Sequence, residues 1–456
     1  MRSGLRLGAA ALAALLLLSA CGSRTTGDGQ AASPDPTSTV PPGSDSADPG
    51  SFPGTGSVDV ESRLADFLDQ PSAVGASLLA VDMGRSGDPR WAPYLLDLLR
   101  FSTDENLTLD VRVALEAVTG EPRGDSGRGD YLSYGSWIFT NTPDPGDRYR
   151  EWKESLYGSV DPAFEPLLAE VPDLQTVVQL QWGGVVKGGI PELNDPERVV
   201  ATEVDFLEPD ELVLGADFGD LEIAYPLRVM ARHELVNDTV NGRPVGLAYC
   251  TLCRTATAYE RRIGDTVLTF RTSGLLLNSN KVMVDDETST LWRQLTGRAF
   301  AGPLAGTVLD GHPVVTTTWS DWLAEHPDSE VVTIPGVVPG GPNYDYTPGE
   351  AYRSYYEDDA VWFPVLDTPD VFPLKTEVAT LSLGRDALAV EVSSLIAQGA
   401  QTFELDGSEV VAEPTPAGVE FYRVEGNARE RLLSGQSFWF AWYGEHPDTD
   451  WWPRGP

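Results

Sequence analysis

The chain has 456 residues, 41% of them hydrophobic and twelve of them tryptophan, which is enough apolar side chain for one large or two moderate cores and rules out disorder throughout. Its formal net charge of -37, from 32 Lys and Arg against 69 Asp and Glu, excludes the clustered positive surface that nucleic-acid binding needs. The acidity reads instead as a solubilising, self-repelling surface.

Residues 1–21 have the layout of an export signal: Arg2 and Arg6, an apolar run from Leu7 to Leu18, then small residues before Cys21. The run is too short to span a bilayer. Leu18-Ser19-Ala20-Cys21 resembles the bacterial lipobox, so Cys21 is the expected lipidation site and the membrane the expected partner. This places the protein outside the cytoplasm, lipid-anchored to the cell membrane. Residues 22–57 are Ser, Thr, Pro, Gly and Asp with almost nothing large and apolar, which predicts a disordered tether.

The fold class expected for the remainder is α+β, a helical domain over 58–172 followed by a larger, mostly β domain over 173–456. In the first, Leu95, Leu98 and Leu99, then Val111, Ala114, Leu115 and Val118, recur at helical spacing. Asp88 and Pro89 mark a helix start. Residues 87–120 resemble a paired-helix unit of the HEAT type, residues 121–147 read as a connection, and helices resume over 148–157 and 164–168. Beyond Pro172 short apolar runs such as 177–180, 199–204 and 267–270 alternate with Gly, Pro, Asn and Asp, the pattern of many short strands.

The mature chain retains only two cysteines, Cys250 and Cys253, in Tyr249-Cys250-Thr251-Leu252-Cys253-Arg254. Two intervening residues allow a tight turn whose ends come within disulfide reach. Strand-like residues 246–249 precede the pair, and Thr255-Ala256-Thr257-Ala258-Tyr259 alternates after it, which predicts a turn between strands rather than the helix start of a thioredoxin. Thiolates are the reactive form, so charge and burial around each sulfur decide the chemistry, with Arg254 adjacent and His233 as candidate modulators. Three readings remain open: a redox-active dithiol acting with an unknown redox or protein partner, a structural bridge in a surface binding module, or a soft-metal site. In the last, Cys250 and Cys253 with His233 and Met283 would suit copper, since a second Cys-x-x-Cys for a four-cysteine zinc site is lacking.

Other motifs fail. His233-Glu234-Leu235-Val236-Asn237 lacks the second histidine of a zinc-protease helix, and neither a nucleophile elbow nor a phosphate-binding loop occurs. Asp285-Asp286-Glu287 before Thr288 and Ser289 reads as a turn or cap, and Trp292, Trp319, Trp322, Trp439 and Trp442 as core.

Several blocks in order, Ala224-Tyr225-Pro226-Leu227, His233 to Asp238, Tyr249-Cys250-x-x-Cys253, Ser273-Gly274-Leu275, Leu291-Trp292-x-Gln294, Gly302-Pro303-Leu304, Trp319-x-x-Trp322 with His326-Pro327, and Phe438 to Trp442, carry a resemblance over about 175–456. They resemble the bacterial and archaeal family called domain of unknown function 3179. The resemblance implies an exported or anchored protein, with Cys250 and Cys253 as the reactive positions and His233 as their neighbour. Similar proteins with selenocysteine in this motif imply redox chemistry. Thr251 and Arg254 depart from the Pro and Gly that the family often has, which implies a different turn rigidity and thiol potential.

Overall fold

The computed structural model describes residues 59–336, 344–415 and 418–454; the export segment, Cys21 and the tether over 22–57 lie outside the described residues. The chain divides into two compact units, Met1–Val186 and Lys187–Pro456. Together they make a mixed α+β protein, helical first and richer in strands after.

The described part of the first unit is almost entirely helical, from Val60–Asp69 through Ala73–Ser86, Ala92–Phe101 and Glu105–Thr119 to Leu174–Gln179. Side chains of Asp59, Ser72 and Asp104 each accept an amide hydrogen bond at the start of the helix they precede, as capping chemistry requires. The apolar spacing of Leu95, Leu98, Val111, Ala114 and Leu115 is explained by burial of all five. Asp88 caps the short helical turn Pro89–Trp91. The expected connection over 121–147 is instead interrupted by a helix, Gly127–Asn141. Ser126 caps it, and Tyr131, Tyr134, Ile138 and Phe139 supply the buried face that offsets its three glycines and polar interior. Likewise 177–180 is not a strand: Asp173 caps the helix Leu174–Gln179, and the extended segment is Leu180–Trp182.

The second unit is built twice on one plan. In its first half, Leu212–Asp217 and Glu222–Pro226 form a hairpin flanked by antiparallel Val314–Thr318 and parallel Glu330–Val332. In its second half, Glu377–Leu383 and Asp386–Glu391 form a hairpin flanked by antiparallel Ser434–Phe438 and parallel Asp450–Trp452. Each hairpin leads into a seven-residue helix, Leu227–His233 or Val392–Gln398. A second hairpin follows, Leu235–Val240 with Arg243–Cys250, or Gln401–Leu405 with Ser408–Thr415. Its turn is Asn241-Gly242 in one half and Asp406-Gly407 in the other, all four at positive φ, the pairing that two-residue hairpin turns favour.

The hydrogen-bond registers fix the correspondence. Leu212 matches Glu377, Pro226 matches Glu391, Val240 matches Leu405 and Cys250 matches Thr415, with no insertion or deletion between them. Each half also carries Trp-x-x-Trp-x-x-Glu-His-Pro-Asp, from Trp319 and from Trp439, on the helices Trp319–Glu325 and Trp439–Glu445.

Two of the differences between the halves bear on the thiols. Between Cys250 and Thr255 the first has four residues, whereas Thr415 pairs with Gly418 across two. The first half also inserts an antiparallel sheet made by Phe270–Leu277, Asn280–Asp285, Leu291–Arg293 and Ala299–Ala301. Both differences meet at the thiols.

Candidate functional site

Cys250 ends the strand Arg243–Cys250 and stands opposite Thr255 at the start of Thr255–Glu260, so the thiols lie on a turn between strands. The buried amide of Gln294 braces both arms of this hairpin: its Nε2 donates to Ala248 O (3.1 Å) and its Oε1 accepts from Thr255 Oγ1 (2.7 Å). The turn closes at Arg254, a non-glycine residue at φ 54°.

Cys250 and Cys253 are free thiols, 2% and 0% exposed, with sulfurs 2.6 Å apart. Cys253 Sγ donates to Asn280 Oδ1 (2.7 Å) and lies 3.4 Å from Ser279 O. Both partners belong to the hairpin of the inserted sheet, whose turn residues Asn278 and Ser279 have φ of 50° and 61°. The hydroxyl of Ser279 is buried there without a hydrogen-bond partner among the described residues.

Beside the thiols is a buried ion pair. Lys281 Nζ donates to Glu234 Oε2 and, at 3.2 Å, to Thr272 Oγ1, while Glu234 Oε1 accepts from Thr251 Oγ1 of the thiol turn (3.1 Å). Glu234 follows the helix Leu227–His233 at φ 60°. Its counterpart after the other helix is Gly399, at φ 80°. Positive φ suits glycine and costs other residues on the order of 1 kcal/mol or more, so a carboxylate here is maintained against local strain.

These neighbours divide the two thiols. Burial opposes ionisation of Cys250, but its hydrogen bond with Cys253 and the charge and backbone amide of Lys281 outweigh it, with Glu234 opposing, and hold its pKa below the usual thiol value. Cys253 moves the other way, raised well above that value by burial and then by its hydrogen bond and proximity to Cys250.

The helix Arg353–Glu357 covers the turn. Tyr355 OH donates to Leu252 O and Tyr356 OH to Thr251 O, each at 2.8 Å, and Tyr356 OH also meets Tyr249 OH at 3.2 Å. Lys375 Nζ sits 3.5 Å from the centre of the Tyr355 ring. Next to this cover, Leu212, Leu227, Ala231, Tyr249, Arg254 and Tyr356 help to line a cavity of ≈ 400 Å³.

The other sequence candidates fall around this centre. Arg254 directs its guanidinium to Glu377 (2.7 Å) and lies 5.7 Å from the Tyr356 ring. His233 is fully buried, its Nδ1 bonded to Pro191 O (2.8 Å) and its Nε2 to Tyr346 OH (2.7 Å); neither ring nitrogen is spent on a sulfur. Met283 packs in an apolar cluster with Leu235, Ala248 and Trp292. Among the described residues no group of three or more His, Cys, Asp or Glu is placed to hold a metal ion, and no helix is long and apolar enough to cross a membrane. Asp285 accepts from the amides of Thr288 and Thr290 and from Trp292 Nε1, which makes it the turn residue expected.

A family model described as protein of unknown function (DUF3179) matches residues 187–422. The chain belongs to this family. The DUF3179 match takes in the first half of the duplicated unit, the inserted sheet and the thiol turn, and ends within the strand Gly418–Glu425. Neither the curated proteins nor the solved structures contain a match to this DUF3179 chain.

Sequence reasoning found the thiols but missed Glu234, Asn280 and Lys281. The signal in the sequence is the Trp-x-x-Trp-x-x-Glu-His-Pro-Asp repeat, which aligns a half with cysteines to one without and sets Glu234 against Gly399.

Proposed function

We propose that this protein is an extracytoplasmic thiol-disulfide redox protein, held at the membrane through lipidated Cys21, with Cys250 and Cys253 as its exchanging pair. The observation that carries the reading is the pair of contacting free thiols with opposed acidity. Cys250 is the attacking group and Cys253 the resolving one, because the Cys253 proton is held by Asn280 Oδ1 while Cys250 adjoins Thr251, which ties the turn to the Glu234–Lys281 pair.

The acceptor is a disulfide, RS–SR. The Cys250 thiolate attacks one sulfur, forming Cys250–S–S–R and releasing RS⁻; Cys253, on losing its proton, attacks Cys250 Sγ, forms the internal disulfide and releases the second RS⁻. The two protons of the dithiol end on two RSH molecules, and two electrons have passed to the acceptor. Burial of both sulfurs requires the covering helix Arg353–Glu357 to move away for this contact.

A redox titration of the purified protein, read by alkylation of free thiols and mass, tests the reading. A reversible two-electron midpoint within roughly -120 to -300 mV, abolished by Cys250→Ser or Cys253→Ser, is expected. A pair that stays oxidised throughout that range is a structural bridge, and one that retains stoichiometric copper when reduced is a metal site; either result overturns the redox reading.

A further inference from the structure

The half of the unit without cysteines is an internal reference for the half with them. Among what the thiol-bearing half adds around the sulfurs are a carboxylate at a position where the other half has glycine, and a lysine on the inserted sheet. We propose that Glu234 and Lys281 are opposed positioning residues for the thiol pair: Lys281 supplies the positive charge that draws the Cys250 sulfur into its reactive form, and Glu234 restrains that charge while tying it to the thiol turn through Thr251. The inference rests on the redox reading of the site and assigns what sets its strength.

The geometry has three parts. Glu234 bridges the thiol turn and the inserted sheet, accepting from Thr251 Oγ1 on one side and Lys281 Nζ on the other. Both side chains of the pair are 6% exposed, so their charges act with little screening by solvent. Lys281 follows Asn280, whose Oδ1 receives the Cys253 thiol and whose Nδ2 donates to Ala441 O at 3.2 Å, which fixes the sheet against the turn. The glycine of the other half ends an equal helix at positive φ with the same i to i-4 amide bond, so ending the helix does not call for a carboxylate at this position.

The two charges act on Cys250 with opposite sign, and this separates the proposal from a purely structural role. Glu234→Gln keeps the hydrogen-bonding shape and removes the negative charge; Lys281→Gln removes the positive one. The measurement is the rate at which iodoacetamide labels Cys250 in the chemically reduced protein at neutral pH, followed by peptide mass, together with the reduction potential. Glu234→Gln is expected to speed labelling and raise the potential, and Lys281→Gln to slow labelling and lower the potential, by about tenfold in rate each. The double variant is expected to return near the wild-type rate. Loosened packing would speed labelling in both single variants, and that result overturns the proposal, as does no change in either. Should Lys281→Gln fail to fold, Glu234→Gln decides alone: labelling slowed or unchanged in a cooperatively melting protein refutes it. Labelling is read on reduced protein, so this outcome is independent of whether the pair cycles.

Discussion

Trp322 and Trp442 occupy the same place in the two halves of the second unit. Each donates its indole N–H to a hydroxyl seven residues on, Ser329 Oγ at 3.0 Å or Thr449 Oγ1 at 2.8 Å, and each ring lies about 4 Å from a histidine ring, His326 or His446. Repetition of this arrangement where thiols are present and where they are absent assigns the tryptophans to architecture. Ser329→Ala and Thr449→Val are therefore expected to cost similar stability, about 1–3 kcal/mol each for an indole left unpaired, while the potential of the thiol pair stays unchanged. Urea unfolding and a redox titration of both variants check this.

The cover over the thiols rests on two phenolic hydrogen bonds. Tyr355→Phe and Tyr356→Phe each remove one, to Leu252 O or Thr251 O, and leave the rings in place. A hydrogen bond worth about 1 kcal/mol corresponds to roughly fivefold in the population of an opened state. Alkylation of the native, reduced protein is expected to accelerate by about that factor in each variant, with Cys250 modified before Cys253. Unchanged rates in both would show that access does not pass this helix.

His233 and His446 are held below their ordinary value of 6.5, in both cases by burial. The native state keeps these imidazoles neutral while the unfolded chain takes up protons, so the contribution is fully present above pH 6.5 and is lost as pH falls from there towards the depressed native values. Unfolding free energy measured on either side of pH 6.5 should fall on the acid side, and the His233→Gln, His446→Gln double variant should show a shallower slope.

The first unit has its own internal charge. Lys153 Nζ stands 3.4 Å from Asp97 Oδ1 and donates to Val178 O, and Tyr149 OH donates to Asp97 Oδ2, all buried. Lys153→Met strands the carboxylate and is expected to destabilise this unit by about 3–5 kcal/mol, whereas Asp97→Leu with Lys153→Met should recover most of the loss. Chemical denaturation of the single and double variants measures the difference.

Periodicity and capping chemistry made much of the architecture readable. Leu95, Leu98, Val111 and Leu115 reported a buried helical face, and the alternation after Arg254 reported the second arm of the thiol hairpin. The helix Gly127–Asn141 escaped because its glycines and scattered polar residues hide the stripe that only packing of Tyr134 and Ile138 reveals. Residues 174–179 escaped because a short apolar run has no period of its own, and the cap at Asp173 decided the matter. At the site, cysteine spacing located the sulfurs, whereas Glu234 and Lys281 reach them from other elements across a fold that local sequence does not encode.

Thr415, paired with Gly418, stands where the unit's first copy has Cys250. Since the strands on either side run in the same register as those around Cys250, Thr415→Cys with a four-residue graft after it would seat a second dithiol on an already formed platform. That berth lacks the inserted sheet, so sulfurs placed in it would have neither an asparagine acceptor nor a buried ammonium. Such a chimera would carry two dithiols on one scaffold with different surroundings, a direct way to weigh what a protein environment adds to bare sulfur chemistry.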